Sequence, residues 1–347
     1  MIYKRIITFI LVILFFACQF TQIFAMPSVS AHAYIVIDQD SGRVISSHNA
    51  DRKLPIASTT KIMTSILAIE TIRDLNTKIE VPPECTGIEG SSIYLKPKQK
   101  VSVIDLIYGT MLRSGNDAAA TLAKFAGRNH PEGFIAMMNK KAKELGAFNT
   151  NFVNASGLHD ENHYSTAYDL ALISAYAMKN DLFREISSAV KYKAESMNNI
   201  FYNKNKVVHQ YKYGTGIKIG YTKAAGRCLV ASAEKDNMKI IAVLLNDNNW
   251  FNDSYKIFDW AFDNYISYSI VEKGQFVTYA DDGVPVFIDE SFRCILREEE
   301  KSQIKFEVLL EPEDETKNIY GVYNIYLGDE IIHTGKLISK NPQGRFN

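Results

Sequence analysis

Residues 55–64 read PIASTTKIMT, and both a change from extended to helical backbone and a pair of reactive side chains are predicted within them. Leu54 to Ala57 is predicted to be extended, because a residue before proline avoids the helical region. Apolar residues then recur with helical spacing from Ser58 to Ile72, which predicts a helix that begins at Ser58. The unpaired N–H groups and the positive dipole end at such a position favour a developing alkoxide. Lys61 follows on the same helix face, within reach of the Ser58 hydroxyl.

This pair predicts nucleophilic catalysis by a serine. A serine hydroxyl attacks poorly at neutral pH until a neighbouring base takes its proton. Lys61 can be that base if burial beside another cation keeps it partly neutral. The Ser-x-x-Lys pattern alone is a weak signal. It recurs at three other places where surface or strand residues are the simpler interpretation: Ser188/Lys191, Ser232/Lys235 and Ser302/Lys305.

Two later motifs add to the prediction. Ser114-Gly115-Asn116 lies between two predicted helices. Its hydroxyl could relay a proton and its amide could bind a substrate peptide group, although a turn with an N-cap is the simpler alternative. Lys218-Ile219-Gly220 precedes a predicted hairpin. Lys218 could supply a cation beside the serine, and Gly220 could let a substrate backbone approach the strand. The alternative is a basic strand end in which the glycine has no functional role.

The remaining pattern predicts an α/β (α+β) chain with two domains. Hairpins are predicted at Ala33–Ser46 and Gly226–Leu245, so that the sheet of one domain is built from both ends of its segment. Helical patterns lie mostly between them, at Val103–Leu112, Asp117–Phe125, Pro131–Leu145, Ala167–Met178 and Trp250–Ile266. After Ile270 only short β-like runs follow, which predict a small all-β sandwich. We expect a catalytic domain over residues 27–268 and a β-rich domain over 270–340.

Composition and the chain termini limit where the protein acts. The chain has 347 residues and a formal net charge of +0, which argues against nucleic-acid binding. Lys4 and Arg5 precede the apolar run Ile6–Ala17, which predicts a signal peptide over residues 1–25 with cleavage near Ala25 and a secreted protein. Lipidation at Cys18 is an alternative. The last residues, 338–347, have no amphipathic face, and we expect no C-terminal membrane anchor.

Metals, cofactors and disulfides are not expected. Cys85, Cys228 and Cys294 are widely spaced and form no disulfide or metal pattern. His159 and His163 could suggest a metal site, but their spacing is not His-Glu-x-x-His and no third ligand is evident.

The ordered motifs resemble a known family. Ser-x-x-Lys, Ser-x-Asn and Lys-x-Gly, in this order, are the signature of penicillin-binding proteins and serine β-lactamases. The surrounding words resemble the low-molecular-weight penicillin-binding proteins that are serine-type D-alanyl-D-alanine carboxypeptidases: PIASTTKIMT at 55–64, MLRSGNDAA at 111–119, NASGLH at 154–159 and GRCLVASA at 226–233. The resemblance runs from about Ala33 to Ile266. It implies a β-lactamase/transpeptidase-like domain with helices flanking an antiparallel sheet, and a C-terminal β domain.

The resemblance also implies roles for the site residues. Ser58 would attack the carbonyl of the penultimate D-alanine in a peptidoglycan stem peptide, and Lys61 would be the base. β-Lactams would mimic the D-Ala-D-Ala end and trap Ser58. The remaining assignments are a proton relay at Ser114, substrate contacts at Asn116, electrostatic support from Lys218, and an oxyanion hole formed by the N–H groups of Ser58 and Tyr221.

One departure from the family concerns the substrate carboxylate. The family usually has Lys-Thr-Gly, whereas Ile219 stands here in place of the threonine. Thr222 could partly replace the missing hydroxyl, and Lys204 could supply a cation for the carboxylate. We therefore expect a working enzyme with weakened carboxylate recognition. The alternative is a catalytically weak penicillin-binding protein of the cell wall. A β-lactamase is not expected, because no Glu-x-x-Leu-Asn word is present.

Overall fold

The computed structural model describes residues 25–280, 283–314 and 319–339. The predicted signal peptide and Cys18 lie outside these residues, apart from Ala25, as does the C-terminal stretch 340–347. The export and anchoring expectations therefore stay predictions. Within the described part of the chain, every helix is too short or too polar to cross a lipid bilayer.

The described residues form strands and helices in mixed order along the chain. The strands are β1 Ala33–Asp38, β2 Val44–His48, β3 Lys78–Glu80, β4 Lys100–Ser102, β5 Lys191–Ala194, β6 Asn199–Tyr202, β7 Gly214–Thr222, β8 Gly226–Lys235, β9 Met238–Leu245, β10 Ile266–Val271, β11 Phe276–Tyr279, β12 Pro285–Ile288, β13 Phe292–Leu296, β14 Ile304–Asp314, β15 Ile319–Leu327 and β16 Glu330–Ser339. The α-helices are α1 Lys61–Thr71, α2 Val103–Leu112, α3 Asn116–Ala126, α4 Gly133–Glu144, α5 Ala167–Lys179, α6 Asp181–Ser188, α7 Val207–Gln210 and α8 Trp250–Asn264.

The central sheet has the strand order β2-β1-β9-β8-β7, and all of its pairs are antiparallel. Strand β1 pairs with β9, with Ile35 opposite Val243. The first hairpin thus joins the second across about 200 residues of chain, as the sequence predicts. Strand β7 lies at the edge of the sheet, and its free side is where the site forms.

Both faces of this sheet are covered. On β8, Cys228 and Val230 point to a core shared with α1 to α6, whereas Leu229 and Ala231 point to α8. The side-chain period of two in a strand explains this alternation. The sheet is therefore packed between the helices and α8, which makes it a rigid support for the site at its edge.

The predicted helix from Ser58 does not start where we expected. A 3-10 turn occupies Ala57–Thr60, and the α-helix begins at Lys61. The Thr59 and Thr60 hydroxyls donate to the carbonyl oxygens of Ile56 and Ala57, at 2.7 and 2.8 Å. Such local bonds compete with the helix ladder. The predicted extended backbone is also wrong for Ile56, which is helical, and for Ala57, whose φ is +48°.

The C-terminal part is all-β, as predicted. Strands β11-β12-β16-β15-β14 form one sheet, and β10 pairs with β13. The two sheets share an apolar core that includes Val271, Cys294, Ile325 and Leu337. The sequence prediction missed β10 and β13. The expected domain boundary near residue 269 falls within β10, and the boundary stays a prediction.

Candidate active site

Ser58 lies in the 3-10 turn Ala57–Thr60, which we call the serine turn. Between Ile56 and Ala68, Ser58 is the only residue that is not buried. Its hydroxyl is thus the one side-chain group of this segment that a ligand can reach.

Two glycines hold the serine turn from opposite sides. Gly157 has φ +82°, and a Cβ there would overlap the Ala57 carbonyl oxygen. Gly220 lies on β7, and a Cβ there would stand 2.8 Å from the Ser58 nitrogen. The sequence predicts a close approach at Gly220, and the structure shows that the serine turn makes it. The approach of a substrate backbone to the same strand stays a prediction.

The Lys61 amine is fully buried beneath the serine. Its Nζ lies 3.0 Å from Ser58 Oγ, 2.7 Å from Asn116 Oδ1 and 2.5 Å from the Ser156 carbonyl oxygen. An ammonium group can donate to all three oxygens. A neutral amine has two N–H groups and a lone pair, so it can still donate to Asn116 and Ser156. Its lone pair then faces the Ser58 hydroxyl.

The burial of Lys61 and the nearby buried Lys218 favour the neutral form of the Lys61 amine. Burial lowers the pKa of Lys61 well below its ordinary value, and the nearby Lys218 charge lowers it further, while Asp117 partly opposes the change. Burial and the Lys204 charge lower the pKa of Lys218 to about 7. These are the conditions that the sequence prediction required of Lys61, namely burial and a neighbouring cation.

The Asn116 side chain is fixed by its surroundings. Its Nδ2 donates to the Glu89 carbonyl oxygen at 2.5 Å, and its backbone nitrogen donates to the Ser91 carbonyl oxygen at 2.7 Å. These bonds leave Oδ1 to accept from Lys61. The alternative of an N-cap is wrong, since Gly115 is the cap residue and no side chain caps α3.

Ser114 precedes this helix with φ +61° and is buried. Among the described residues, its hydroxyl has no hydrogen-bond partner in the protein. The Ser114 hydroxyl is therefore free to bond a ligand or water.

The neighbours of Lys218 on β7 differ in their surroundings. Lys218 Nζ donates to the Ile219 carbonyl oxygen at 2.9 Å. The Ile219 side chain is half-buried against the core on the α8 side of the sheet. Tyr221 is exposed, and its register partner is Arg227. Thr222 Oγ1 accepts from the Ala225 nitrogen at 3.0 Å, which leaves its hydroxyl hydrogen to donate.

Lys204 stands at the rim of the same cleft. Its Nζ donates to Ser91 Oγ at 3.3 Å, and its backbone nitrogen donates to the Leu112 oxygen at 3.1 Å. Although the residue is exposed overall, partial burial of its ammonium group and the Arg113 charge lower its pKa. The Lys204 charge in turn acts on Lys218 and Lys61. The Lys204 and Lys218 charges therefore make the site positive and favour the neutral form of Lys61.

The sequence profile of the D-alanyl-D-alanine carboxypeptidase family, peptidase family S11, matches residues 21–249. The chain belongs to this family. It is 34% identical over 257 residues to D-alanyl-D-alanine carboxypeptidase DacF of Bacillus subtilis, covering 71% of this chain and 66% of that protein. It is 39% identical over 251 residues to D-alanyl-D-alanine carboxypeptidase DacC of Escherichia coli, and this match covers 68% of this chain and 62% of that protein. Each match thus spans less than two thirds of the relative's own length.

The fold agrees with that of a solved family structure. Penicillin-binding protein 5 from Haemophilus influenzae superposes with a TM-score of 0.79 at 26% identity, covering 91% of this chain and 98% of that one. The resemblance and the fold class inferred from the sequence motifs are both confirmed.

Several residues of this carboxypeptidase-family site were not predicted from the sequence. Ser156 acts through its carbonyl oxygen, and a backbone group leaves no signature in residue type. Asp117 accepts from the Ile93 and Leu95 nitrogens at 3.1 and 3.0 Å, and so holds the loop that contacts Asn116. From the sequence alone, an acidic residue in the first turn of a helix is explained by its favourable interaction with the helix dipole, so these backbone bonds were not predicted. His163, which bonds the serine turn, was weighed only as a metal ligand.

Proposed function

We propose that this protein is a serine-type D-Ala-D-Ala carboxypeptidase, which removes the terminal D-alanine from peptidoglycan stem pentapeptides through an acyl-enzyme on Ser58. The observation that carries the proposal is the buried Lys61 amine, 3.0 Å from Ser58 Oγ and beside the second buried cation Lys218. A general base must lie within hydrogen-bond reach of the proton it takes, and this pair meets the distance.

In the acylation step, Lys61 takes the Ser58 proton and Ser58 Oγ attacks the carbonyl carbon of the penultimate D-alanine. The N–H groups of Ser58 and Tyr221 bind the oxyanion. Gly220 supports this assignment, because it lets β7 lie directly against the Ser58 nitrogen. Collapse of the intermediate expels D-alanine, whose amine receives a proton through Ser114. Water then attacks the acyl-enzyme and restores the Ser58 hydroxyl.

Substrate binding is assigned to the rest of the cleft. Asn116 contacts the peptide backbone, while Lys218, Thr222 and Lys204 contact the terminal carboxylate. The apolar Ile219 provides no donor for that carboxylate. A lost hydrogen bond to a charged group costs about 1.5–3 kcal/mol, which weakens but does not abolish binding. β-Lactams acylate the same Ser58 hydroxyl, and they bind where the D-Ala-D-Ala end binds.

We place the enzyme outside the cytoplasm, where its peptidoglycan substrate lies, after cleavage near Ala25. The catalytically weak alternative rests on Ile219 alone. The buried Lys61 contacts do not involve the Ile219 side chain, so this substitution leaves the proton-transfer geometry in place.

The decisive experiment is D-alanine release from a synthetic stem pentapeptide. The wild-type protein is expected to release one D-alanine per peptide, and the Ser58→Ala variant none. Ser188→Ala is the matched control, because Ser188 also has a lysine three residues later but lies at the exposed end of α6. Equal D-alanine release by the wild-type and Ser58→Ala proteins would refute the proposal.

Labelling with a fluorescent penicillin is a second assay. Together with D-alanine release, it separates the carboxypeptidase from a catalytically weak penicillin-binding protein and from a β-lactamase. Stable labelling that Ser58→Ala abolishes supports the acyl-enzyme. Labelling without D-alanine release supports the weak penicillin-binding protein. Rapid loss of the label indicates a β-lactamase.

A further inference from the structure

His163 is a buried imidazole that lies next to the serine turn. The ring packs edge-on against Phe152, and the residue is almost inaccessible to solvent. The sequence suggested a metal ligand here, but no group of three or more His, Cys, Asp or Glu side chains suited to a metal occurs in the part of the chain that the structure describes. Its two ring nitrogens have protein partners instead.

The partners fix the tautomer of the ring. The Val153 backbone nitrogen lies 3.2 Å from Nδ1 and can only donate, so Nδ1 accepts and Nε2 carries the hydrogen. Nε2 then donates to Thr60 Oγ1 at 2.8 Å, and the Thr60 hydroxyl donates onward to the Ala57 carbonyl oxygen at 2.8 Å. Donors and acceptors therefore alternate along one chain of bonds from Val153 to Ala57.

This chain of bonds joins two parts of the site that are far apart in sequence. Val153 begins the loop 153–157, whose Ser156 carbonyl oxygen accepts from Lys61 and also from Ser58 Oγ at 3.5 Å. Thr60 and Ala57 belong to the serine turn. Inside the loop, Asn154 Oδ1 accepts from the Ser156 and Gly157 nitrogens at 3.1 and 2.7 Å, which makes the loop a stiff unit. The bonds of His163, together with the close contact of Gly157 at Ala57, therefore set the distance between this loop and the serine turn.

We propose that His163 is a positioning residue, which fixes the serine turn against the loop 153–157 and so holds Ser58, Lys61 and the Ser156 carbonyl oxygen in register. This inference rests on the proposed function, since it concerns the same acylation step. His163 contacts neither the substrate nor the reacting atoms, and acts through Thr60 and Val153.

The charged groups around the ring favour the neutral form that this role requires. Burial lowers the pKa of His163 to about 4, the Lys61 and His159 charges lower it, and Asp160 opposes them. A protonated ring would direct a second N–H at the Val153 N–H, and two donors would then face each other. The connection therefore holds throughout the neutral pH range.

The test compares acylation of the full-length protein by fluorescent penicillin in four variants. His163→Ala removes both bonds and is expected to slow acylation about 10-fold or more, because small displacements of reacting groups have large effects on rate. His163→Gln keeps an N–H that can reach Thr60 and is expected to restore most of the rate. The loss is expected in the rate constant for acylation and not in non-covalent affinity for the penicillin.

Two controls separate positioning from general stability. Asn139 binds the backbone of Phe152, the residue before the loop 153–157, through two bonds of 2.8 Å, so Asn139→Ala is expected to lower the melting temperature and leave acylation near the wild-type rate. His159→Ala removes an exposed neighbouring ring and is expected to change neither.

The outcomes also separate this inference from the proposed function. If the wild-type protein acylates and His163→Ala acylates at the same rate, the inference is wrong and the proposed function stands. It is also wrong if Asn139→Ala slows acylation as much as His163→Ala, or if His163→Gln restores nothing. If the wild-type protein does not acylate at Ser58, the proposed function itself fails.

Discussion

Replacing Gly220 by alanine tests how closely strand β7 must lie against the nucleophile. The added Cβ would stand 2.8 Å from the Ser58 nitrogen and 3.1 Å from both the Thr59 nitrogen and Ala57 Cβ, whereas ordinary contacts begin at 3.4 Å. The serine turn must therefore move by about 0.6 Å (3.4 − 2.8) to admit the methyl group. Overpacking of this kind costs about 1–3 kcal/mol of folding free energy.

The effect on activity should exceed the effect on stability. A functional group is held to about 0.5 Å in a preorganised site, and a displacement of about 1 Å can cost on the order of 100-fold in rate. We expect Gly220→Ala to slow acylation by fluorescent penicillin about 10- to 100-fold. Thermal unfolding measured on the same samples reports the stability loss.

Gly335→Ala is the matched control for this experiment. Gly335 lies on β16 opposite Tyr323, and a Cβ there would stand 2.3 Å from atoms of the Tyr323 side chain, so the overlap is at least as severe as at Gly220 but lies in the C-terminal β part. We expect this variant to lose stability and keep the wild-type acylation rate. A folded Gly220→Ala protein that acylates as fast as the wild type would refute the reasoning.

Three further perturbations have expected outcomes. Ile219→Thr is expected to raise the turnover of a D-Ala-D-Ala peptide by supplying a carboxylate donor, and an unchanged or lower rate counts against the weakened recognition. Because the folded pKa of His163 is about 4 and its ordinary value is 6.5, the free energy of unfolding should be unaffected by this group above pH 6.5 and fall by about 3 kcal/mol between pH 6.5 and 4. Unfolding in denaturant should show that His163→Gln loses this dependence, and a variant as acid-sensitive as the wild type would contradict it. Arg43→Gln removes the ion pair with Glu300 and the 2.6 Å bond to the Ile295 oxygen. It should cost about 1–3 kcal/mol and speed proteolysis between the two parts of the chain while leaving acylation unchanged, and equal proteolysis rates would show that this contact is dispensable.

The fold could be predicted from sequence where its signals are local. The hairpin predicted at Ala33–Ser46 and the helix predicted at Val103–Leu112 follow from β-forming residues, turn residues and helical spacing, and the structure has both, with the hairpin extending to His48. The start of the helix at Ser58 was misplaced because two threonine hydroxyls bond locally to the backbone and form a tighter turn. Strands β10 and β13 were missed because each is stabilised by pairing with the other across more than 20 residues, which no short window of sequence records.

The site could be predicted only where residue type determines the chemistry. Lys61, Asn116 and Lys218 carry groups with few ordinary roles in a buried position, and the structure brings them together next to Ser58. The Ser156 contribution could not be predicted in this way. Any residue has a carbonyl oxygen, and its direction depends on the turn that Asn154 closes.

The charge of the cleft serves two requirements at once. In the proposed function, burial and then the Lys218 and Lys204 charges lower the pKa of Lys61, which favours the neutral amine that acylation needs, and the same positive charges attract the carboxylate of a D-Ala-D-Ala end. Asp117, which opposes that lowering, accepts from the Ile93 and Leu95 nitrogens. A bound carboxylate would offset part of the repulsion between the lysines and raise the pKa of Lys61, which makes the neutral amine a stronger base and at the same time lowers the fraction of Lys61 that is neutral. In the proposed function, recognition of the terminal carboxylate is therefore coupled to the basicity of the Lys61 amine.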